Sequence, residues 1–263
     1  MLSFKKLPVF KLSKIKNNNS YFDLSLKIVD GLVKQSLNSK LKSFLTRRYI
    51  FQESNTDPMH KSAFRRKQGE KFVNSLKKNY KKSFKDKNVL EIGCGSGYIL
   101  TKLKNKGANV IGIEPSKIYE KGNVTVYKNI ESLPKNIKFD LILTNAVIEH
   151  IFDLKIFLKK LKKISKKNCE YFNCVPDCEE ALNFGDPTML NHEHIYYFTK
   201  TSIRNFFNSQ GFNSHSFHDK NGNLYCHIKN TKIKKIKNTK IKKKNLINEN
   251  ANTVLQNYKK KIF

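Results

Sequence analysis

Two sets of residues in this chain have the types and spacing to do chemistry. Glu91, Gly93, Gly95 and Gly97 stand at every second position, directly after the apolar pair Val89-Leu90. An apolar run ending in an acid, then alternating glycines, then a helical pattern reads as a buried strand, a tight turn and a helix N-terminus. Glycine at such a turn lets the backbone approach a nucleotide-like ligand closely. Tyr98 stands where a dinucleotide fingerprint wants its third glycine, which argues against a pyrophosphate. Glu114 closes the next apolar run, 17 residues beyond Gly97. That is near the spacing of an acid that grips a ribose diol, a task for which a carboxylate has enough acceptor sites. The second set is His150, in Asn145-Ala146-Val147-Ile148-Glu149-His150-Ile151, together with Glu193 and His194 in His192-Glu193-His194. Histidine titrates near neutrality and a neighbouring carboxylate can orient it. His150 or His194 therefore suits a proton acceptor, with Glu193 as an orienting or second proton-transfer group.

These residues need a scaffold, and the flanking patterns supply one. Strands are expected at Asn88–Ile92, Asn109–Ile113, Val124–Tyr127, Phe139–Thr144 and Glu170–Val175. Between them lie helical stretches carrying Ile99, Leu100 and Leu103, and Leu154, Phe157, Leu158 and Leu161. Lys200–Ser209 reads as a helix capped by Thr199 or Thr201. Phe212–Phe217 and Asn223–Ile228 read as a hairpin across Lys220-Asn221-Gly222. Alternation of this kind implies an α/β fold with a doubly wound, mostly parallel sheet. In such a sheet ligands lie beyond the carboxyl ends of the strands at the topological switch point, which puts Asn145–His150 on the substrate side. Asn129 and Ile130, after the third strand, have the polar-beside-apolar character to meet an adenine edge and face. An ordinary turn between strand and helix is the alternative there.

The chain divides into three parts on this reading. Residues 1–60 form an extension over the cleft, with a helix over Leu24–Leu45 and a polar segment around Tyr49, Phe51, Glu53, Asn55 and His60. Residues 61–228 form the core domain, entered through a helix over Lys61–Lys78. Residues 229–263 form a lysine-rich tail, with a near-duplicate octad at 230–245 and a last helix over Asn248–Ile262.

Composition bounds the rest. The net charge of +31 comes from 52 Lys+Arg against 21 Asp+Glu, yet only five of the cations are arginine. Arginine is the residue that reads bases and grips phosphate bidentately, so nucleic acid is not the expected partner, although such charge still attracts polyanions non-specifically. Nowhere does the sequence carry an apolar run long enough for a membrane span, and the N-terminus lacks a secretory h-region. The five cysteines form no C-x-x-C pair, which fits reduced thiols and a cytoplasmic protein. Cys174, Cys178, His192 and His194 match no common zinc spacing, so no metal is expected.

The run Glu91-x-Gly93-x-Gly95-x-Gly97 resembles motif I of class I S-adenosylmethionine (SAM) methyltransferases. That resemblance implies a Rossmann-like sheet of seven strands with the last antiparallel, an N-terminal helical extension and SAM as cofactor. It places Glu91, Gly93, Gly95, Gly97, Glu114, Asn129, Ile130 and Asn145 around that cofactor. Tyr49-Ile50-Phe51-Gln52-Glu53-Ser54, the Asn145–Asp153 run and His192–Phe198 look like SAM-dependent sugar C-methyltransferases. Carried over, the resemblance gives proton-transfer roles to His150, Glu193 and His194, with a sugar or nucleotide-linked sugar as acceptor. The family's N-terminal zinc cysteines are absent, Asn55 falls where its catalytic tyrosine is expected, and its C-terminal domain has no counterpart here. Two alternatives stay open: an O-methyltransferase of another small molecule (quinone, polyketide or lipid headgroup), and a non-catalytic methyltransferase-like module that binds anions.

Overall fold

The computed structural model describes residues 1–9, 20–50, 62–116, 124–219 and 223–230, together with positions 253, 255, 256, 259 and 260. The chain begins with strands β1 (Leu2–Pro8), β2 (Tyr21–Val29) and β3 (Leu32–Gln35), then helices α1 (Ser39–Ile50) and α2 (Ala63–Tyr80). Next come β4 (Asn88–Ile92), α3 (Tyr98–Lys104), β5 (Asn109–Ile113), β6 (Thr125–Tyr127) and β7 (Phe139–Asn145). The rest of the core is α4 (Leu154–Ile164), β8 (Ser165–Val175), α5 (Glu179–Phe184), β9 (Tyr196–Tyr197), α6 (Lys200–Ser209), β10 (Asn213–His218) and β11 (Leu224–Lys229).

Seven strands make one sheet in the order β10-β11-β8-β7-β4-β5-β6. β4, β5, β6, β7 and β8 run parallel, while β11 is antiparallel to both β8 and β10. The chain leaves β4 toward β5 and β6, then returns to β7 on the other side. The carboxyl ends of β4 and β7 therefore border the switch-point crevice. Alternate residues feed the two faces: Val89, Leu141 and Leu143 pack with Phe72, Leu76, Leu100 and Leu103 of α2 and α3. Leu90, Ile92 and Ile142 pack with Phe157, Leu161, Ile203 and Phe207 of α4 and α6. This two-sided burial is why the parallel strands read as continuous apolar runs. Asp153 caps α4 by accepting from the Ile156 N–H at 3.0 Å, and Thr199 and Ser202 form the capping box of α6.

The N-terminal residues depart from the expected helical extension. Where a helix was expected from Leu24 to Leu45, β2 and β3 form a hairpin and only α1 is helical. The buried residues Leu24 and Leu26 alternate with less buried neighbours, a period of two rather than 3.6. Asp30 and Gly31 both take positive φ, 54° and 75°, as a tight two-residue hairpin turn requires. This second sheet runs β1-β2-β3-β9, so a strand of the core domain completes it. Leu24, Leu26, Val33, Tyr197 and Leu255 share its core. Strand β8 starts five residues earlier than its apolar run, and the link expected between it and α6 contains α5 and β9. The hairpin turn at 220–222, the segment 51–61 with Asn55, and the octads at 231–245 lie outside the described residues.

Candidate active site

A cavity of about 1020 Å³ opens at the carboxyl ends of β4, β5, β7 and β8. Its walls carry Glu91, Gly93, Gly95, Glu114, Asn129, Ile130 and Asn145 of the expected cofactor set, with His150 and Glu193 of the expected catalytic set. Gly97 and His194 do not line it.

At the glycine turn, Gly93, Gly95 and Gly97 hold φ of 70°, 50° and 73°. A Cβ on Gly93 would lie 2.4 Å from Val147 Cγ2, so this glycine lets β4 and the segment after β7 approach each other. A Cβ on Gly95 would meet nothing within 4 Å, because that position faces the open cavity. Gly97 instead serves as the N-cap of α3. Glu114 ties this turn to the end of β5. One carboxylate oxygen accepts from the Gly95 N–H at 3.0 Å, and the other accepts from the Ser116 N–H at 3.0 Å and hydroxyl at 2.7 Å. Glu91 is buried, and its Oε2 has no hydrogen-bond partner. Burial, with Glu114 nearby, pushes its carboxyl well above the usual range. Asn129 uses its side-chain oxygen to cap Ile130–Ser132, accepting from the Ser132 N–H at 2.9 Å, so it has less to offer a ligand than its sequence position suggested.

The histidine side of the site is built from three segments. Residues Ile148–His150 form a 3-10 turn after β7, Glu193-His194 precedes β9, and Arg48-Tyr49 belongs to the last turn of α1. His150 donates from Nδ1 to the Glu193 carbonyl at 2.8 Å, and the Tyr49 hydroxyl donates to the same carbonyl at 3.2 Å. That tautomer leaves Nε2 with its lone pair. The Nε2 lies 3.8 Å from Glu149 Oε1, and the His150 and His194 rings are 5.2 Å apart. Burial lowers His150 to about 4 and His194 to about 3, so both rings are neutral near pH 7. Burial raises Glu149 to about 8, and neither of its carboxylate oxygens has a hydrogen-bond partner.

The Glu193 carboxylate is engaged in a buried ion pair. Arg48, buried beside it, contacts Oε1 with Nε at 3.0 Å and with its terminal nitrogen at 2.8 Å. Burial raises the Glu193 carboxyl while Arg48 opposes the shift. The carboxylate thus anchors α1 to the loop, and the backbone carbonyl of the same residue holds His150. Sequence reasoning passed over Arg48, Arg65, Gln68 and Ser116; Arg65 and Gln68 reach the cavity from the first turns of α2. The scarcity of arginine was the available signal for two of them. Glu149 was quoted in its motif but given no role. Although no metal was expected, Glu149, His150 and His194 gather with one potential ligand atom each, all within 4.8 Å of one another.

The residues around Glu91, Gly95 and Glu114 fit a nucleoside-bearing cofactor: an unpartnered buried acceptor, open space over a glycine, and an acid at the end of β5. Comparisons with known proteins agree. Ubiquinone biosynthesis O-methyltransferases are among the proteins that match this chain. The one from Bradyrhizobium diazoefficiens is 34% identical over 91 residues, 30% of this chain and 36% of that protein. The one from Pelagibacter ubique is 36% identical over 98 residues, 33% of this chain and 41% of that protein. A tRNA U34 carboxymethyltransferase from Alteromonas mediterranea is 32% identical over 104 residues, 33% of this chain and 31% of that protein. The chain therefore aligns with well under half the length of these relatives. Among solved structures, a protein of Pyrococcus horikoshii OT3 shares the fold at a TM-score of 0.52 and 18% identity, covering 75% of this chain and all of that one. The DhpI–SAM–HEP complex does so at 0.52 and 12% identity, covering 73% of this chain and 99% of that one. A family model described as a methyltransferase domain matches residues 64–216, more than half of the chain. The chain belongs to this methyltransferase domain family, whose methyl donor is SAM.

Proposed function

We propose that the protein transfers the methyl group of SAM to a hydroxyl oxygen of a small, partly apolar acceptor. The observation that carries this reading is the position of His150 on the wall of the same cavity as Glu91, Gly95 and Glu114, beside Ile151, Phe152, Ile156 and Phe157. An apolar wall next to a neutral imidazole suits a phenol or quinol better than a sugar. The O-methyltransferase names of two relatives favour the same acceptor class, and none of the relatives reported above has a sugar in its name.

SAM supplies an electrophilic methyl on a sulfonium sulfur, so an attacking oxygen forms the new C–O bond as the C–S bond breaks. Positioning by the chain is worth up to ~7–11 kcal/mol in such a displacement. Gly93 and Gly95 bring the backbone to the donor, and Glu114 keeps an acceptor site on Oε2 for a ribose hydroxyl. Glu91 and Asn145 line the same end of the cavity. His150 takes the hydroxyl proton at Nε2 while the Glu193 carbonyl holds Nδ1–H. His194 sits behind His150, away from the cavity wall, and supports that ring rather than meeting the acceptor.

The test is release of S-adenosylhomocysteine from SAM with three acceptor types: a phenol bearing an apolar chain, a nucleotide-linked sugar and bulk tRNA. Turnover with the phenol, abolished by His150→Ala, supports the reading. Turnover only with the sugar or the tRNA would overturn it.

A further inference from the structure

We propose that Glu149, His150 and His194 bind one divalent transition-metal ion at the acceptor end of the cavity. The three side chains offer a carboxylate oxygen and two imidazole nitrogens within 4.8 Å of one another. Bonds of ~2.0–2.2 Å around a tetrahedral ion place neighbouring donors about 3.3–3.6 Å apart. Binding therefore draws the three side chains together by up to about 1.5 Å.

Three further observations point to a cation rather than to simple packing. Glu149 is 1% exposed and both of its carboxylate oxygens lack a hydrogen-bond partner. A buried carboxylate without partners is costly, and a bound cation would remove that cost. His150 already has the surroundings of a metal ligand, because its Nδ1–H is held by the Glu193 carbonyl at 2.8 Å and its Nε2 faces Glu149. His194 is brought to the cluster by backbone pairing: the adjacent Ile195 N–H donates to the Glu149 carbonyl at 2.7 Å.

The donor set decides the class of ion. Two nitrogens and one oxygen suit Zn²⁺, Mn²⁺, Fe²⁺ or Co²⁺, whereas Ca²⁺ and Mg²⁺ prefer oxygen ligands throughout. Three protein ligands leave positions open, and His150 lines the cavity, so an acceptor oxygen has access to one of them. A hydroxyl bound there loses its proton more readily; the O–H pair stays on oxygen and the proton passes to water at the cavity mouth. This site goes beyond the methyl-transfer reading. A cation on Nε2 of His150 takes that lone pair out of proton transfer, so the two roles are tested separately.

The experiment is titration of the chelator-stripped full chain with Mn²⁺, followed by electron paramagnetic resonance, and with Zn²⁺ by calorimetry, without SAM. One saturable site per chain is expected, weakened at least 10-fold in Glu149→Gln. His194→Gln provides the same comparison if the first variant does not fold, as judged by circular dichroism. No saturable binding by the folded wild type, or unchanged binding in a folded variant, overturns the proposal. SAM binding measured on the same samples separates the two readings: SAM bound without Mn²⁺ sinks the cation site alone, and Mn²⁺ bound without SAM sinks methyl transfer alone.

Discussion

The carbonyl of Glu193 accepts the Nδ1–H of His150 at 2.8 Å, across 43 residues of chain. That bond sets the tautomer of a ring on the cavity wall. Its acceptor is itself held in place by Arg48, on the far side of the same residue. The last turn of α1, the loop before β9 and the turn after β7 thus act as one unit.

Arg48 is the keystone of that unit. Removing one partner of a buried ion pair strands the other charge, so Arg48→Ala should cost about 3–5 kcal/mol in urea denaturation. Arg48→Met combined with Glu193→Gln should recover most of the loss, because neither residue then carries a charge. An equal loss in the double variant would show that packing, rather than charge, sets the cost.

Glu114 bridges the glycine turn and the end of β5. Glu114→Ala should weaken SAM binding about 10–100-fold, the equivalent of ~1.5–3 kcal/mol for charged hydrogen bonds. Calorimetry checks this. Unchanged affinity in the variant would remove Glu114 from the cofactor site.

The two cavity-facing glycines should fail in different ways. Gly93→Ala drives a methyl into Val147 at a positive φ and should lose stability by about 1–3 kcal/mol or more. Gly95→Ala meets open space, so the strain at φ 50° is its only structural cost, while the added methyl projects into the cavity. Its loss should appear mainly in SAM affinity. Thermal melts with and without SAM distinguish the two outcomes.

A separate cluster governs acid stability. Burial alone would raise the Glu170 carboxyl, but hydrogen bonds from His227 (2.6 Å) and from Lys82 outweigh it and hold the carboxyl below its usual value of 4.5. A carboxyl lowered on folding stabilises fully above its unfolded pKa, and that contribution fades as pH falls through the folded value. Melting temperature should therefore drop below roughly pH 4.5 in the wild type, with a shallower slope in Glu170→Gln. Parallel slopes would exclude Glu170 as a source of the acid loss.

The core sheet and its glycine turn were legible in the residues because their signals are local. The strand–glycine–helix unit at 88–104 lies within a few turns of chain, and parallel strands buried on both faces write themselves as apolar runs. The N-terminal hairpin was legible too, in the alternation of Leu24 and Leu26 and in Asp30-Gly31, but a richer apolar pattern nearby reads as a helix. The surroundings of His150 were not. The ion pair of Arg48 with the Glu193 carboxylate, and the meeting of Glu149 with His194 through the pairing of Ile195, join segments far apart in the chain. Local sequence determines strand, turn and helix, because those depend on neighbouring residues. Only tertiary structure decides what a side chain's charge meets, because the partners here lie up to 145 residues apart along the chain.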